Sequence, residues 1–144
     1  MSKTIQRSAR VEYSAAQMFD LVRDVESYPE FMQECVGAAV LESDSEVQVA
    51  KLDLARGGLR QSFTTRNTMA PPERITMELV DGPFKALHGL WQFVALGDTS
   101  CEVSFKLDYE FKNFLLGAAA SPLMNAMVAD QVNAMCERAQ VLYG

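Results

Sequence analysis

The chain has 144 residues, of which 49% are hydrophobic and 22% are charged. This composition is typical of one soluble globular domain that can bury a core without disulfides or a structural metal. Thirteen basic residues against nineteen acidic ones give a net charge of −6. A net charge of this sign argues against a general nucleic-acid-binding protein that relies on a positive surface, and we expect no DNA partner.

The cysteines and the N-terminus indicate the compartment. Cys35, Cys101 and Cys136 are far apart, and His88 is the only histidine, so we predict free thiols and no metal site. The N-terminus lacks the apolar core of a signal peptide, and no apolar run approaches the ~20 residues that span a bilayer. We therefore expect a cytoplasmic protein that can be peripheral to the inner membrane.

The first elements follow from a change of hydrophobic period. Residues 3–13 alternate between apolar and polar side chains, which predicts a half-buried strand. Ser14 and Gln17 have the spacing of a capping box, so a short helix is expected to begin there. Ser27 is then expected to cap a second short helical turn that contains Pro29.

The middle of the chain predicts a meander of six antiparallel strands, because its apolar runs are separated by turns rich in Gly, Pro, Asp and Ser. The predicted strands are 36–42, 46–56, 59–69, 73–80, 84–96 and 100–111. In the last of them every second residue from Cys101 to Phe111 is apolar, which indicates one buried and one wet face.

The C-terminal region predicts a long helix. Ser121 and Pro122 are typical of an N-cap and a first helical turn, with the helix ending near Leu142. The apolar residues 114–120 leave a second possibility open, in which the helix begins earlier and Pro122 lies inside it. The apolar stripe of this helix is Met124, Met127, Val128, Val132, Met135, Ala139 and Leu142.

These elements predict an α+β fold with a single domain over residues 1–144. A curved seven-stranded antiparallel sheet is expected to wrap around the long C-terminal helix, because no other element is large enough to cover its apolar face. Two short helices after strand 1 would close one end of the apolar cleft between sheet and helix. Such a cleft is a natural place for a hydrophobic ligand.

Five segments of the chain, taken in order and spacing, resemble a known family. They are residues 24–31 (DVESYPEF), 57–66 (GGLRQSFTTR), 71–75 (PPERI), 82–84 (GPF) and 87–93 (LHGLWQF). They are similar to the coenzyme Q-binding branch of the START-like superfamily, also called SRPBCC or polyketide cyclase-like. Bacterial members of this branch are often named ribosome association toxin RatA. The resemblance covers residues 3–143 and implies a helix-grip, or Bet v 1-like, fold.

The resemblance implies two functions. The one we place first is non-enzymatic binding of a prenylated quinone, ubiquinone above all, which would support respiratory electron transport or quinone biosynthesis without a required cofactor. The alternative is a toxin of the toxin–antitoxin type that binds the large ribosomal subunit and blocks subunit joining. A cyclase or dehydratase acting on a polyketide, known from the wider superfamily, comes last.

Aromatic and methionine side chains are the candidates for lining a lipid cavity, because large rings and flexible thioethers can pack around an isoprenoid tail. The candidates are Tyr28, Phe31, Phe63, Met77, Phe84, Trp91, Phe93, Phe105, Tyr109, Met124, Met127, Val128 and Met135. Trp91 also has an indole N–H that can donate to a quinone oxygen. Ordinary core packing is the competing explanation for each of them.

A basic segment interrupts the acidic chain. Its residues, on two adjacent predicted strands and their turns, are Lys51, Arg56, Arg60, Arg66 and Arg74. Arg60 and Arg66 share a strand parity and are expected to point to one face, where they could contact ribosomal RNA or anionic lipid headgroups. A solvated sheet face is the competing explanation.

The sequence contains no recognisable catalytic set. No motif places a serine or cysteine near His88, and Asp108 and Glu110 lie on the polar side of their strand, where solvated residues are expected. Gly57 and Gly58 join two strands and open no helix, which indicates a hairpin turn and not a phosphate loop. We predict no catalytic residues and no enzymatic activity.

Overall fold

The computed structural model describes residues 2–144 and contains seven strands and three helical segments. In chain order these are β1 (Lys3–Val11), α1 (Ala15–Arg23), a 3₁₀ helix (Val25–Glu30), β2 (Cys35–Ser43), β3 (Val47–Arg56), β4 (Leu59–Ala70), β5 (Arg74–Asp81), β6 (Phe84–Gly97), β7 (Ser100–Phe111) and α2 (Phe114–Tyr143). Among these residues no helix has both the length and the apolarity that crossing a membrane requires.

All seven strands form one antiparallel sheet in the order β1-β7-β6-β5-β4-β3-β2. The helix α2 packs against the inner face of this curved sheet and contacts β1, β7, β3 and β4, while α1 contacts β6, β7 and α2. The predicted fold class is therefore confirmed. The six strands expected between residues 36 and 111 are all present, with ends within about one residue of the predicted ones.

The two faces of the sheet differ as the alternation in the sequence predicts. On β7 the residues Cys101, Val103, Phe105, Leu107 and Tyr109 are all buried, whereas the residues between them are exposed or half-buried. Side chains of successive strand residues point to opposite faces. The buried set therefore faces α2 and forms the core, and the other set faces solvent.

The capping box at the start of α1 is confirmed. The backbone N–H of Gln17 donates to Ser14 Oγ at 3.1 Å, and the backbone N–H of Ser14 donates to Gln17 Oε1 at 2.9 Å. The predicted cap at Ser27 is wrong, because the 3₁₀ helix begins at Val25, directly after α1. Ser27 lies inside this turn, and its hydroxyl donates to Asp24 Oδ2 at 2.6 Å.

The long helix α2 begins at Phe114, seven residues before the predicted cap Ser121. Its N-cap is Asn113, whose Oδ1 accepts the backbone N–H of Leu116 at 2.8 Å. Pro122 lies inside the helix, which confirms the alternative in which the helix begins before Ser121. A proline cannot donate to the carbonyl four residues before it, here that of Ala118. Because Ala118 is exposed, water can satisfy that carbonyl.

The predicted apolar stripe of α2 is buried except at its end. Met124, Val128 and Met135 have no exposed surface, whereas Leu142 is 51% exposed. Leu142 was predicted to belong to the stripe and does not, because the last turn of α2 leaves Val141 and Leu142 largely in solvent.

The edge strand β2 pairs with β3 alone and is irregular. Its register shifts between Cys35 and Gly37 and again between Val40 and Glu42. The backbone N–H of Val40 donates to a carboxylate oxygen of Glu26 at 3.2 Å, so the 3₁₀ helix occupies part of the free edge.

The position of the N-cap predicts two different mutational effects. Asn113→Ala should lower the free energy of unfolding by about 1 kcal/mol, because it removes the side-chain acceptor of an otherwise unpaired helical N–H. Ser121→Ala lies in the helix interior and should change it by less than about 0.5 kcal/mol. Urea denaturation measures both. A larger loss for Ser121→Ala than for Asn113→Ala would mean that the helix begins at Ser121.

Candidate functional site

A small cavity lies between the inner face of the sheet, the 3₁₀ helix and α2. Its volume is about 20 Å³, which is enough for one water molecule. Ligand pockets for small organic molecules typically measure roughly 300–1,000 Å³. In this conformation the interior is therefore nearly filled by the chain itself.

Polar side chains form part of the cavity wall. Gln48 Nε2 donates to the backbone carbonyl of Arg23 at 2.9 Å, Asn67 Nδ2 donates to Gln48 Oε1 at 3.0 Å, and Thr65 Oγ1 donates to Asn67 Oδ1 at 2.8 Å. Because a backbone carbonyl can only accept, the orientation of the whole series is fixed from Arg23 onward. Gln48, Thr65 and Asn67 are all buried, so the series is a satisfied polar network inside the core.

Gln131 brings a fourth polar side chain to the cavity, from α2. It is 5% exposed, and its Nε2 lies 3.9 Å from Sδ of Met32. Its Oε1 is buried and accepts no hydrogen bond from residues 2–144. A buried acceptor without a donor costs about 1–3 kcal/mol. This atom therefore calls for a donor from outside the protein, either a water molecule or a ligand.

A second, larger space lies outside Gln131. This outer groove has a volume of about 330 Å³ and runs between residues 31–34 and the α2 residues 127–137. Gln131 lines both the groove and the internal cavity. Its contact with Met32, which also lines the groove, therefore stands between the two spaces.

The segment that bears Met32 is held in place by the aromatic residues before it. The guanidinium of Arg138 lies 5.1 Å from the centre of the Phe31 ring and 3.4 Å from Glu30 Oε1. Tyr28 packs edge-on against Phe31 and donates its hydroxyl proton to the carbonyl of Val22. Burial raises the pKa of Tyr28 far above its usual range, with a smaller contribution from Cys35, so the phenol stays a neutral donor.

The predicted lining residues fall into several environments. Tyr28, Met77 and Trp91 line the internal cavity, and Phe31 and Met127 line the outer groove. Phe93 and Tyr109 line shallow grooves elsewhere, beside Pro72 and beside Phe114 respectively. The remaining candidates pack in the hydrophobic core: Phe63, Phe84, Phe105, Met124, Val128 and Met135.

Aromatic stacking accounts for much of that core. Trp91 stacks on Phe105 with ring centres 4.4 Å apart, and Phe84 stacks on Phe111 at 4.9 Å. Phe63 meets Phe84 edge-on at 5.7 Å. These geometries are those of favourable aromatic pairs in a closed core.

Sequence reasoning missed the four polar residues of the cavity, although the sequence carries a signal for them. Gln131 occupies a position of the buried stripe on α2, three residues after Val128 and four before Met135. Thr65 and Asn67 share the inward parity of Phe63 and Met69 on β4. A polar residue at a position that periodicity assigns to the core indicates a buried side chain that needs a hydrogen-bond partner.

Four of the five predicted basic residues share the outer face of the sheet. The register places Lys51, Arg60 and Arg66 on that face of β3 and β4, and Arg74 on the same face of β5. Arg56 does not join them, because it has the opposite parity at the hairpin turn. Its guanidinium lies 3.7 Å from Glu34 Oε1. We call Lys51, Arg60, Arg66 and Arg74 the basic face.

The basic face is partly neutralised. Lys51 lies 3.9 Å from Asp53 Oδ1, and the charge of Arg66 lowers the pKa of Asp44, after the larger effect of two backbone hydrogen bonds. Within residues 2–144, Arg60 and Arg74 form no ion pair. These two guanidinium groups are exposed and available to an anionic partner.

His88 and the three cysteines are the titratable side chains that nucleophilic or metal chemistry would use first. His88 Nδ1 lies 2.7 Å from Glu78 Oε1 on the solvent side of the sheet. All three cysteines are free, as predicted, and burial raises the pKa of Cys101 to about 11. No group of His, Cys, Asp and Glu within residues 2–144 is placed to hold a metal ion.

Comparison with known proteins identifies the family. Residues 11–136 match the family described as polyketide cyclase/dehydrase and lipid transport. The chain belongs to this family. A relative from Pseudomonas aeruginosa, named ribosome association toxin RatA, is 44% identical over 144 residues and is covered completely, as is this chain.

Two more distant similarities help to separate fold from function. The coenzyme Q-binding protein COQ10 homolog B of Xenopus laevis mitochondria is 27% identical over 95% of this chain and 61% of its own length. The crystal structure of Zhui aromatase/cyclase from Streptomyces sp. R1128 has a TM-score of 0.82 at 17% identity, over 97% of this chain and 94% of that one. At this identity the likeness shows the fold alone.

The unpaired oxygen of Gln131 predicts an unusual gain in stability. Gln131→Met keeps the length of the side chain and removes the buried acceptor, so the free energy of unfolding should rise by about 1 kcal/mol. Asn67→Leu, the matched control, leaves Gln48 Oε1 and the Thr65 hydroxyl without partners and should lower it by about 2 kcal/mol. Denaturation of the ligand-free protein measures both changes. A loss of stability in Gln131→Met would show that Oε1 already has a donor.

Proposed function

We propose that the protein associates with the ribosome and acts there as a toxin. Ribosome association toxin is the name of its Pseudomonas aeruginosa relative. The observation that carries the proposal is the 44% identity over the full length of both chains. The Zhui aromatase/cyclase has the same fold with only 17% identity to this chain. The additional identity is therefore more than the fold requires.

We propose the basic face as the contact with the large ribosomal subunit, in a complex that prevents subunit joining. Exposed arginines on a sheet can neutralise phosphates of ribosomal RNA without reading bases. Arg60 and Arg66 serve this role best, because they lie on the same side of one strand, six residues or about 20 Å apart. Since the whole protein carries a charge of −6, binding must depend on this local surface and must weaken with salt.

Charge reversal on the basic face should abolish this association. Arg60→Glu combined with Arg66→Glu should reduce co-sedimentation with purified large subunits at least about tenfold, because two phosphate contacts become repulsive. The slope of log affinity against log salt should also fall by about 2. Formation of whole ribosomes from subunits, followed by light scattering, should no longer be inhibited by the variant.

The matched control is Arg10→Glu combined with Lys106→Glu. These two residues lie on the outer face of β1 and β7, at the other side of the sheet, and are exposed. The control makes the same change in net charge and should leave co-sedimentation unchanged. An equal loss in both pairs, or co-sedimentation that does not respond to salt, would refute the basic face as the contact.

A second candidate function is the binding of a hydrophobic ligand, for which we propose a prenylated quinone such as ubiquinone. The unpaired Gln131 Oε1 favours it, because this atom lies at a cavity that a ligand could extend. The lipid transport named in the family description and the coenzyme Q-binding relative from Xenopus laevis also support it. It stands second because about 20 Å³ of space cannot hold a quinone.

Quinone binding therefore requires the cavity to open. The contact between Met32 and Gln131 separates the outer groove from the internal cavity. It is a weak contact, since a thioether sulfur is a poor hydrogen-bond acceptor. Movement of Met32 would join the outer groove of about 330 Å³ to the internal cavity. Flexible methionine side chains, here Met32 and Met77, suit such a rearrangement.

Ligand content separates this second function from the first. An organic extract of the protein, purified from a quinone-producing host, should contain near-stoichiometric prenylated quinone by mass spectrometry, and an unrelated protein treated identically should not. Gln131→Met should retain several-fold less quinone while it still co-sediments with ribosomes. Val128 is unsuitable as the altered residue, because it is completely buried and a charge there would unfold the protein. An extract without quinone from the unaltered protein would contradict this function.

We propose that neither role involves catalysis and that the protein works in the cytoplasm, where ribosomes are. A cyclase or dehydratase stays the third candidate. The described residues offer it no acid–base pair facing the cavity, whose polar groups are amides, hydroxyls and an indole.

A further inference from the structure

The first turns of α2 are apolar on the side that faces solvent as well as on the side that faces the sheet. No charged residue occurs between Lys112 and Asp130. Every exposed residue from 114 to 122 is apolar, namely Phe114, Leu115, Ala118, Ala119 and Pro122. Phe114 and Leu115 are the extreme cases, with 84% and 80% of their surface exposed. A monomeric protein gains no stability from two large apolar side chains in this position.

Three lysines surround this apolar tip. Lys3 at the start of β1, Lys85 at the start of β6 and Lys112 after β7 line one groove of about 390 Å³ together with Phe114. The groove also contains Glu110, whose carboxylate lies 3.5 Å from Lys85 Nζ. Three cations therefore oppose one anion here, in a protein whose net charge is −6.

From this combination we propose that the start of α2 docks on an anionic membrane surface. Phe114 and Leu115 enter the headgroup region, and Lys3, Lys85 and Lys112 lie against lipid phosphates. We call these five residues the Phe114 surface. Since none of them belongs to the basic face or the internal cavity, the inference does not rest on either proposed function.

The size of the Phe114 surface favours a membrane over a protein partner. A stable protein interface buries about 1,200–2,000 Å² in total, and two large side chains at the tip of a helix supply only a small part of that. Weak and reversible membrane binding, by contrast, needs only a few apolar side chains beside basic residues. Each lysine near the surface adds to the electrostatic attraction between the protein and anionic lipid, and salt weakens this attraction. The proposal is therefore a peripheral, salt-sensitive contact.

Flotation with vesicles tests the proposal. The purified full-length protein should float with vesicles of equal parts phosphatidylglycerol and phosphatidylcholine at low salt, and much less with phosphatidylcholine alone. Phe114→Ser combined with Leu115→Ser should weaken binding to the anionic vesicles at least about tenfold. Lys3→Glu combined with Lys112→Glu should weaken it strongly at low salt and little at high salt.

The opposite end of the same helix provides the matched control. Val141 and Leu142 are also exposed apolar residues, 75% and 51%, and Val141→Ser combined with Leu142→Ser should leave flotation unchanged. Phe114→Trp adds a direct readout, because the indole at position 114 should shift its emission to the blue when anionic vesicles are added. Trp91 is buried, so its own emission should stay constant. Circular dichroism and urea midpoints confirm that each variant is folded.

Three results would overturn the inference. One is the absence of flotation with anionic vesicles at low salt. Another is equal loss of binding in the Phe114 and Val141 pairs, which would indicate non-specific adsorption. The third is a protein that dimerises in solution and becomes monomeric in the Phe114 pair without binding vesicles, which would make this surface a contact between copies of the chain.

Discussion

The whole molecule depends on the burial of α2 against one face of a single sheet. Met124, Val128 and Met135 have no exposed surface, and the inward residues of β7, such as Val103 and Phe105, are equally enclosed. Because each buried side chain of this kind contributes roughly 1.5–3 kcal/mol, this contact supplies much of the stability. It also decides where function can occur: the interior is nearly full, so the interactions that remain open are the outer face of the sheet, the groove beside Met32 and the exposed start of α2.

The sequence predicted the fold well but did not point to the polar wall of the internal cavity, for different physical reasons. Alternation along β7 and the capping box at Ser14 are local signals, and local signals determined the elements correctly. The start of α2 was ambiguous because both Ser121-Pro122 and Asn113 are acceptable helix starts, and the choice depends on whether Phe114 and the residues after it continue the helix. The polar cavity was missed because its hydrogen bonds join Asn67 on β4 to Gln48 on β3 and Gln48 to the carbonyl of Arg23 at the end of α1, and periodicity within one element does not show such contacts.

The comparisons change the order of the two proposed functions, and the structure explains why this is reasonable. Quinone binding, which the family resemblance favours, requires the internal cavity of about 20 Å³ to open before it can hold the ligand. The outer face needs no rearrangement, because Arg60 and Arg74 are already exposed without an ion pair among the described residues. The two functions use separate parts of the molecule, and occupation of the interior would leave the basic face accessible.

The irregular edge strand β2 limits how this protein can associate. A flat edge strand offers unpaired N–H and C=O groups to the strand of another molecule, and sheet proteins with such edges tend to aggregate. Here two register shifts interrupt the pairing with β3, and Glu26 already accepts the N–H of Val40. Growth of the sheet into an intermolecular one is thereby hindered on this side. The exposed side chains of Val36 and Leu41 on this strand therefore lie beside an edge that offers few free backbone groups to the strand of another molecule.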